Sequence, residues 1–290
     1  MSPKDASEVS RLLAKYDDRA LIIGGGTLIH SLAARGILTQ VELLIDIRNL
    51  ALDYIRANDD IFVIGASTNF SEIENNEEIL KNPSLWALKD ALSHPPPQIR
   101  NSATIGGSVA SAFPLFDIPI ALLALQASVR VTTSSQQREI GLDSLYKDFF
   151  QTTLSKGEFI TEIILPLTKD KTASAFLKIE TNANDLAIVN VATSVTLDSS
   201  SNKCKAARIF IGGGVGPVPV RALSVEAKLQ GKPLNQAVID EVSQAIGSDV
   251  KMVTDHRASS EYRLAVTKVL LKRSLAQCLV RASTEMIRRN

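Results

Sequence analysis

The stretch SATIGGSVASAFPLFD, residues 102–117, runs through small side chains and ends in a single carboxylate, Asp117, three residues after Pro114. Such a run fits either a tight buried turn or a backbone that must approach something flat or anionic. Glycines cluster in two further places, GGG at 24–26 and GGGVG at 212–216. None of these completes G-x-G-x-x-G, since Ile29 and Pro217 stand where the last glycine would fall, and there is no G-x-x-x-x-G-K-[ST]. Rossmann and P-loop sites are therefore excluded on spacing.

Phosphate chemistry is not excluded with them. Consecutive glycines permit positive φ and leave their N–H groups uncovered. Successive N–H groups then form a concavity for an anion. The cluster at 24–26 also leads into a helix starting at Thr27, whose N-terminal partial charge favours phosphate. Two clusters follow apolar runs and precede a hydroxyl residue, Thr27 and Ser108, which points to one shared diphosphate. Metal chemistry is poorly supplied. Cys204 and Cys278 lie far apart, and His30, His94 and His256 are scattered, whereas a plant-type iron–sulfur cluster takes about four thiolates. The histidines read as surface or packing residues, and the cysteines as reduced thiols.

Several elements must position these segments. Ser7 or Asp5 can cap a first helix carrying Val9, Leu12 and Leu13 on one face. ALIIGGG (20–26), TLIHSLAARG (27–36) and VELLIDI (41–47) read as strand, helix and strand, a small α/β unit. A hairpin turning at Asn58, Asp59 and Asp60 follows, then helical stretches near 71–80 and 84–93 that HPPPQIRN ends. IPIALLALQA predicts a buried helix, SVRVTT with REIGLDSL a second hairpin, and EFITEIILP a strand closing at Pro166. The polar segment 167–174 reads as a domain boundary, followed by strands in DLAIVNVATSVTLD and AARIFIGGG. The last part turns helical, with a long helix from about Ser260 whose apolar stripe is Leu264, Val269, Leu270, Leu275 and Leu279.

Composition narrows the function. Lys and Arg number 32 against 31 Asp and Glu, which argues against nucleic-acid binding through bulk charge. With 45% hydrophobic and 22% charged residues over 290 positions, the chain reads as globular with roughly two domains. No apolar stretch approaches the ~20 residues that span a bilayer. MSPKDASEVSRLLAKY has no apolar signal core. A cytoplasmic location is expected.

Taken together, the motifs resemble those of the FAD-binding medium subunits of molybdenum hydroxylases, the carbon monoxide dehydrogenase and xanthine dehydrogenase type. QIRNSATIGGSVASAFPLFDIPIALLAL is similar to that family's second flavin motif, and LIIGGGTLI to its first pyrophosphate loop. NDLAIVNVA, GPVPVRA and DHRASSEYRLAVTKVLLKRSL resemble its C-terminal signatures. Two departures stand out: Ser108 replaces the usual asparagine, and IETNAN (179–184) replaces a common arginine pair.

The resemblance implies an α+β fold. A two-subdomain FAD-binding module of the vanillyl-alcohol-oxidase (PCMH) type would cover 1–168, with subdomains of about 1–52 and 53–168. An α+β C-terminal domain, an antiparallel sheet plus helices, would cover 169–290. It further implies that Leu21, Ile22, Ile23, Gly24, Gly25, Gly26, Thr27 and Leu28 wrap the FAD pyrophosphate. Ala103, Thr104, Ile105, Gly106, Gly107 and Ser108 would supply a second nest. Asp117 would accept from cofactor hydroxyls, or cap the helix after it, or both. Ile160 or its neighbour would pack on the adenine or the flavin edge. Lys178 would lie near the flavin ring, the other reading being a solvated strand residue. Molybdopterin and two-iron two-sulfur clusters would belong to a large and a small partner subunit, and electrons would leave to an external acceptor. The alternatives are a stand-alone flavin oxidoreductase of this fold and a flavin-free structural subunit.

Overall fold

The computed structural model describes residues 1–168 and 170–289. Of the two candidate caps, Asp5 is the one used: its carboxylate accepts from the Glu8 N–H at 2.8 Å and opens α1 (Ala6–Tyr16). β1 (Ala20–Ile23), α2 (Thr27–Ala34) and β2 (Leu43–Asp46) follow, with β1 and β2 parallel and Ile22 beside Ile45. Val9, Leu12 and Leu13 of α1 pack on Ala20, Ile22, Ile45 and Ile47, so the apolar face read from the sequence is the one buried. β3 (Ile55–Ala57) and β4 (Ile61–Gly65) form the first hairpin, whose turn is closed by Asn58 Oδ1 accepting from the Asp60 and Ile61 N–H groups. Short helices α3 (Phe70–Glu74), α4 (Glu77–Lys81) and α5 (Trp86–Ser93) come next. The prolines at 95–97 break the run into α6 (Pro97–Arg100), followed by α7 (Ile105–Ala110) and α8 (Asp117–Ala124).

The second hairpin is β5 (Ser128–Thr132) and β6 (Gln137–Gly141), followed by a small pair, β7 (Tyr146–Asp148) and β8 (Gln151–Thr152), and by β9 (Phe159–Pro166). Then come β10 (Lys171–Ile179), β11 (Val189–Leu197), β12 (Cys204–Gly212), β13 (Val220–Arg221), α9 (Leu223–Leu229), α10 (Gln236–Ser243) and α11 (Ser260–Arg289). No helix among the described residues is long and apolar enough to cross a membrane.

The chain forms two compact units, interleaved along the sequence. The first comprises Met1–Ile73, Pro96–Ala112 and Ala127–Leu165; the second comprises Glu74–Pro95, Phe113–Gln126 and the chain from Pro166 on. The boundary expected at 168/169 adjoins residue 169, which lies outside the described residues. In the first unit, beside the β1–β2 pair, a five-stranded sheet runs in the order β3-β4-β9-β5-β6.

The second unit is built on the antiparallel sheet β10-β11-β12-β13. Alternate residues of its strands divide the work. Ala173, Ala175, Val189, Val191, Ile209 and Ile211 pack with Leu270, Leu271, Leu275 and Cys278 of α11. Residues of the opposite parity meet α5 and α8: Ser174 donates to the Ser84 carbonyl at 2.8 Å and accepts from the Ala87 N–H at 2.8 Å. All eight residues of α8 are buried: the apolar run from Ile118, as predicted, and the carboxylate Asp117 at its first position. Val269, read as part of the α11 stripe, is instead 46% exposed.

Candidate functional site

In the first unit the two glycine segments come together. A Cβ on Gly25 would lie 1.8 Å from the Ser102 carbonyl oxygen, and one on Gly24 would lie 2.9 Å from Thr104 Oγ1. Only residues without a side chain let these backbones approach so closely. Gly26 adopts φ +70°, a left-handed conformation that favours glycine. It occupies the N-cap position of α2 and supplies no side-chain cap. The first-turn amides of a helix have no intrahelical acceptor, so α2 presents N–H groups and the positive end of its dipole beside Thr27 and Leu28. Leu21 to Leu28 are all part-exposed.

The second segment is organised differently. Ala103 N–H donates to Ile99 O, Ile105 N–H to Thr68 O, Gly106 N–H to Ala66 O and Ser108 N–H to Thr104 O, at 2.7–3.0 Å. Thr104 Oγ1 accepts from the Gly107 N–H at 3.2 Å and caps α7. Five amides of Ala103 to Ser108 are thus committed within the unit. What the segment offers is shape and one side chain, for the Ser108 hydroxyl is buried with no hydrogen-bond partner. Gly106 is required by packing, because its Cβ would lie 2.6 Å from Ala66 Cβ. Gly107 is freer, with only Thr104 Oγ1 near, at 3.0 Å. Ile160 sits in β9 opposite Val131 and is 5% exposed.

Asp117 and Lys178 belong to the second unit, where they meet directly. Phe116 holds the N-cap position of α8 without a side-chain bond, so Asp117 does not cap the helix. Its Oδ2 accepts from Lys178 Nζ at 2.9 Å and its Oδ1 from Asn190 Nδ2 at 2.9 Å. Lys178 is not a solvated strand residue: its side chain is 2% exposed. Burial pushes the Asp117 carboxyl above the usual carboxylate range, opposed by the Lys178 charge and by the hydrogen bonds from Lys178 and Asn190. Burial also lowers the imidazole of His94, which packs edge-on against Phe176 with ring centres 5.6 Å apart.

Asn190 is the participant sequence reasoning missed. It stands in register with Lys178 on one side and Gly212 on the other. The available signal was one amide inside the apolar run AIVNVA. The third glycine cluster proves to be filled from within. A Cβ on Gly212 would meet Asn190 Oδ1 at 2.5 Å and Ile120 Cδ1 at 2.6 Å, and one on Gly214 (φ +94°) would meet Arg263 Nη1 at 2.1 Å. Among the described residues no group of three or more His, Cys, Asp or Glu side chains is gathered as a metal would need.

The first unit's uncapped helix, left-handed glycine and orphaned Ser108 hydroxyl suit a phosphate-bearing cofactor, and the relatives agree. Residues 1–168 match the family described as the FAD binding domain in molybdopterin dehydrogenase, which sets the class as flavin-binding. Residues 174–278 match the CO dehydrogenase flavoprotein C-terminal domain. The chain belongs to the family of FAD-binding medium subunits of molybdenum hydroxylases. It is 30% identical over 272 residues to the glyceraldehyde dehydrogenase medium chain of Sulfolobus acidocaldarius, covering 93% of this chain and 94% of that one. It is 34% identical over 275 residues to the 6-hydroxypseudooxynicotine dehydrogenase complex subunit alpha of Paenarthrobacter nicotinovorans, covering 94% and 91%. Among solved structures it matches a chain of the Cu,Mo-CO dehydrogenase in its cyanide-inactivated form with a TM-score of 0.89 at 26% identity, covering 97% and 96%.

Proposed function

We propose that this chain is the electron-exit subunit of a cytoplasmic molybdenum hydroxylase. It takes electrons from two-iron two-sulfur clusters in a small partner subunit and passes them to an external acceptor. Substrate oxidation belongs to a molybdopterin-containing large subunit. FAD, when bound, supplies the redox chemistry through its isoalloxazine ring.

The chain's own residues do the holding. The uncapped N-terminus of α2, opened by Gly26 in its left-handed conformation, is the observation that carries this reading. It offers backbone donors and a positive dipole end to a diphosphate without any lysine. The residues from Leu21 to Leu28 form the backbone cradle. The 103–108 segment, close against Gly24 and Gly25, contributes small cross-section and the Ser108 hydroxyl. Asp117 and Lys178 are proposed as cofactor contacts with one carboxylate and one ammonium.

Purified chain should carry the visible absorbance of a flavin that extracts as FAD rather than FMN. Dithionite should bleach it and air restore it. With an aldehyde, a purine or carbon monoxide, the chain alone should reduce no dye, and adding the partner subunits should start substrate-driven bleaching. Sustained turnover of an organic substrate by the chain alone would make it a stand-alone flavin oxidoreductase instead. A chain that binds no flavin would be a structural subunit.

A further inference from the structure

Lys178 has three protons to donate, and three acceptor groups crowd its nitrogen. Its Nζ lies 2.9 Å from Asp117 Oδ2 and 2.8 Å from the Asp185 carbonyl, both hydrogen bonds. Glu180 Oε2 stands 2.7 Å from the same nitrogen as an ion pair but outside hydrogen-bonding geometry, and that oxygen is buried with no other partner. Two of the ammonium's three donors are engaged, and the Glu180 carboxylate fills the space a ligand would need to reach the third. One acceptor must leave before Lys178 can serve one.

The three acceptors are unequally held. Asp117 is also fixed by Asn190, and Asp185 precedes a segment whose Leu186 and Ala187 carbonyls both accept from Arg257. Glu180 has only a 3.3 Å bond from the Asn184 N–H to its other oxygen, and its side chain is 22% exposed. It is the member with the poorest geometry and an open way out. It also lies inside IETNAN, which neither the fold nor the proposed function explains.

We infer that Glu180 is an internal competitor: its carboxylate occupies the place on Lys178 that an acceptor oxygen of the bound cofactor takes, and it swings out when FAD enters. This rests on the reading that Lys178 contacts FAD. The sign of the effect separates it from a merely structural role. Removing a structural contact weakens ligand binding, whereas removing a competitor tightens it.

Flavin-free full-length chain would be titrated with FAD, following flavin fluorescence, for the unaltered protein, Glu180→Gln and Lys178→Ala. Glu180→Gln removes the charge while leaving its other oxygen to accept from Asn184. It should lower the FAD Kd about fivefold, and Lys178→Ala should raise it about tenfold. As a second readout, acylation of the Lys178 amine, followed by mass spectrometry without flavin, should run faster in Glu180→Gln than in the unaltered chain. If Lys178→Ala leaves the Kd unchanged, the Lys178 reading fails and the competitor with it. If Lys178→Ala weakens binding but Glu180→Gln leaves it unchanged or weaker, the competitor alone is overturned.

Discussion

Two glycine loops, 24–26 in the first unit and 212–216 in the second, look alike in sequence and differ in what occupies the space their missing side chains leave. At 24 and 25 that space is taken by neighbouring backbone and Thr104, and the loop ends in a helix whose first amides carry no side-chain cap. At 212 and 214 it is taken by the protein's own side chains, Asn190, Ile120 and Arg263. The guanidinium of Arg263 is fully buried, donating to the Ile188 and Gly213 carbonyls and to Asp255 Oδ1. Small residues therefore mark close approach in both places, and only the first runs directly into the N-terminus of a helix. Spacing motifs cannot tell what fills each loop, because that depends on where a distant arginine goes.

The largest effect should come from filling the second loop. Gly214→Ala places a methyl group against Arg263 at a positive φ and should cost about 3 kcal/mol in thermal unfolding. In an Arg263→Ala background the same change should cost clearly less, since its clash partner is gone. Equal costs in both backgrounds would mean that the loop is not shaped around the arginine.

Filling the first unit's second segment should instead hit the cofactor. The Cβ of Gly107→Val meets only Thr104 Oγ1, and the variant should shift stability by less than about 1 kcal/mol. Its FAD affinity should fall on the order of 100-fold, equivalent to about 2.7 kcal/mol. Full FAD retention by this variant would remove the segment from the site. Gly106 is the poorer probe, because a side chain there strikes Ala66 and disturbs packing whether or not FAD binds.

The smallest effect concerns the cap. Thr104→Val removes the acceptor for the Gly107 N–H and should destabilise the chain by about 1 kcal/mol. No measurable change on denaturant unfolding would show that α7 is held by its bonds to Ala66 and Thr68 alone.

Much of the scaffold was readable because local pattern and tertiary role agree there. The β1-α2-β2 unit follows from apolar runs bounded by glycine, and α8 from an apolar run with no polar face. Three features were not. α7 lies in the run read as a tight turn or a close backbone approach, since its glycine pair disfavours helix, yet distant carbonyls at Ala66 and Thr68 secure its first amides. β10 begins inside a segment that looks like a linker, because the polarity of Thr172 and Ser174 is used internally. Thr172 pairs with Thr196 at 2.9 Å, and Ser174 binds the chain entering α5. Asp117 is plain as a lone carboxylate, but its partners Lys178 and Asn190 come from strands 61 and 73 residues later. Side chains whose role depends on long-range partners were the ones the sequence concealed.

The interleaving of the two units has a consequence for synthesis. α5 and α8 leave the ribosome well before β10, β11 and β12, the strands that cover them. Until about residue 212 has emerged, α8 has no sheet on which to bury the apolar side chains from Ile118 to Ala124. The first unit's last strand, β9, also arrives only after α8 has been made. The nascent chain must therefore carry a sticky, half-built segment through much of its translation. A fragment stopped at residue 168 would keep α8 without its covering sheet and should aggregate, although it contains the whole FAD-binding family match.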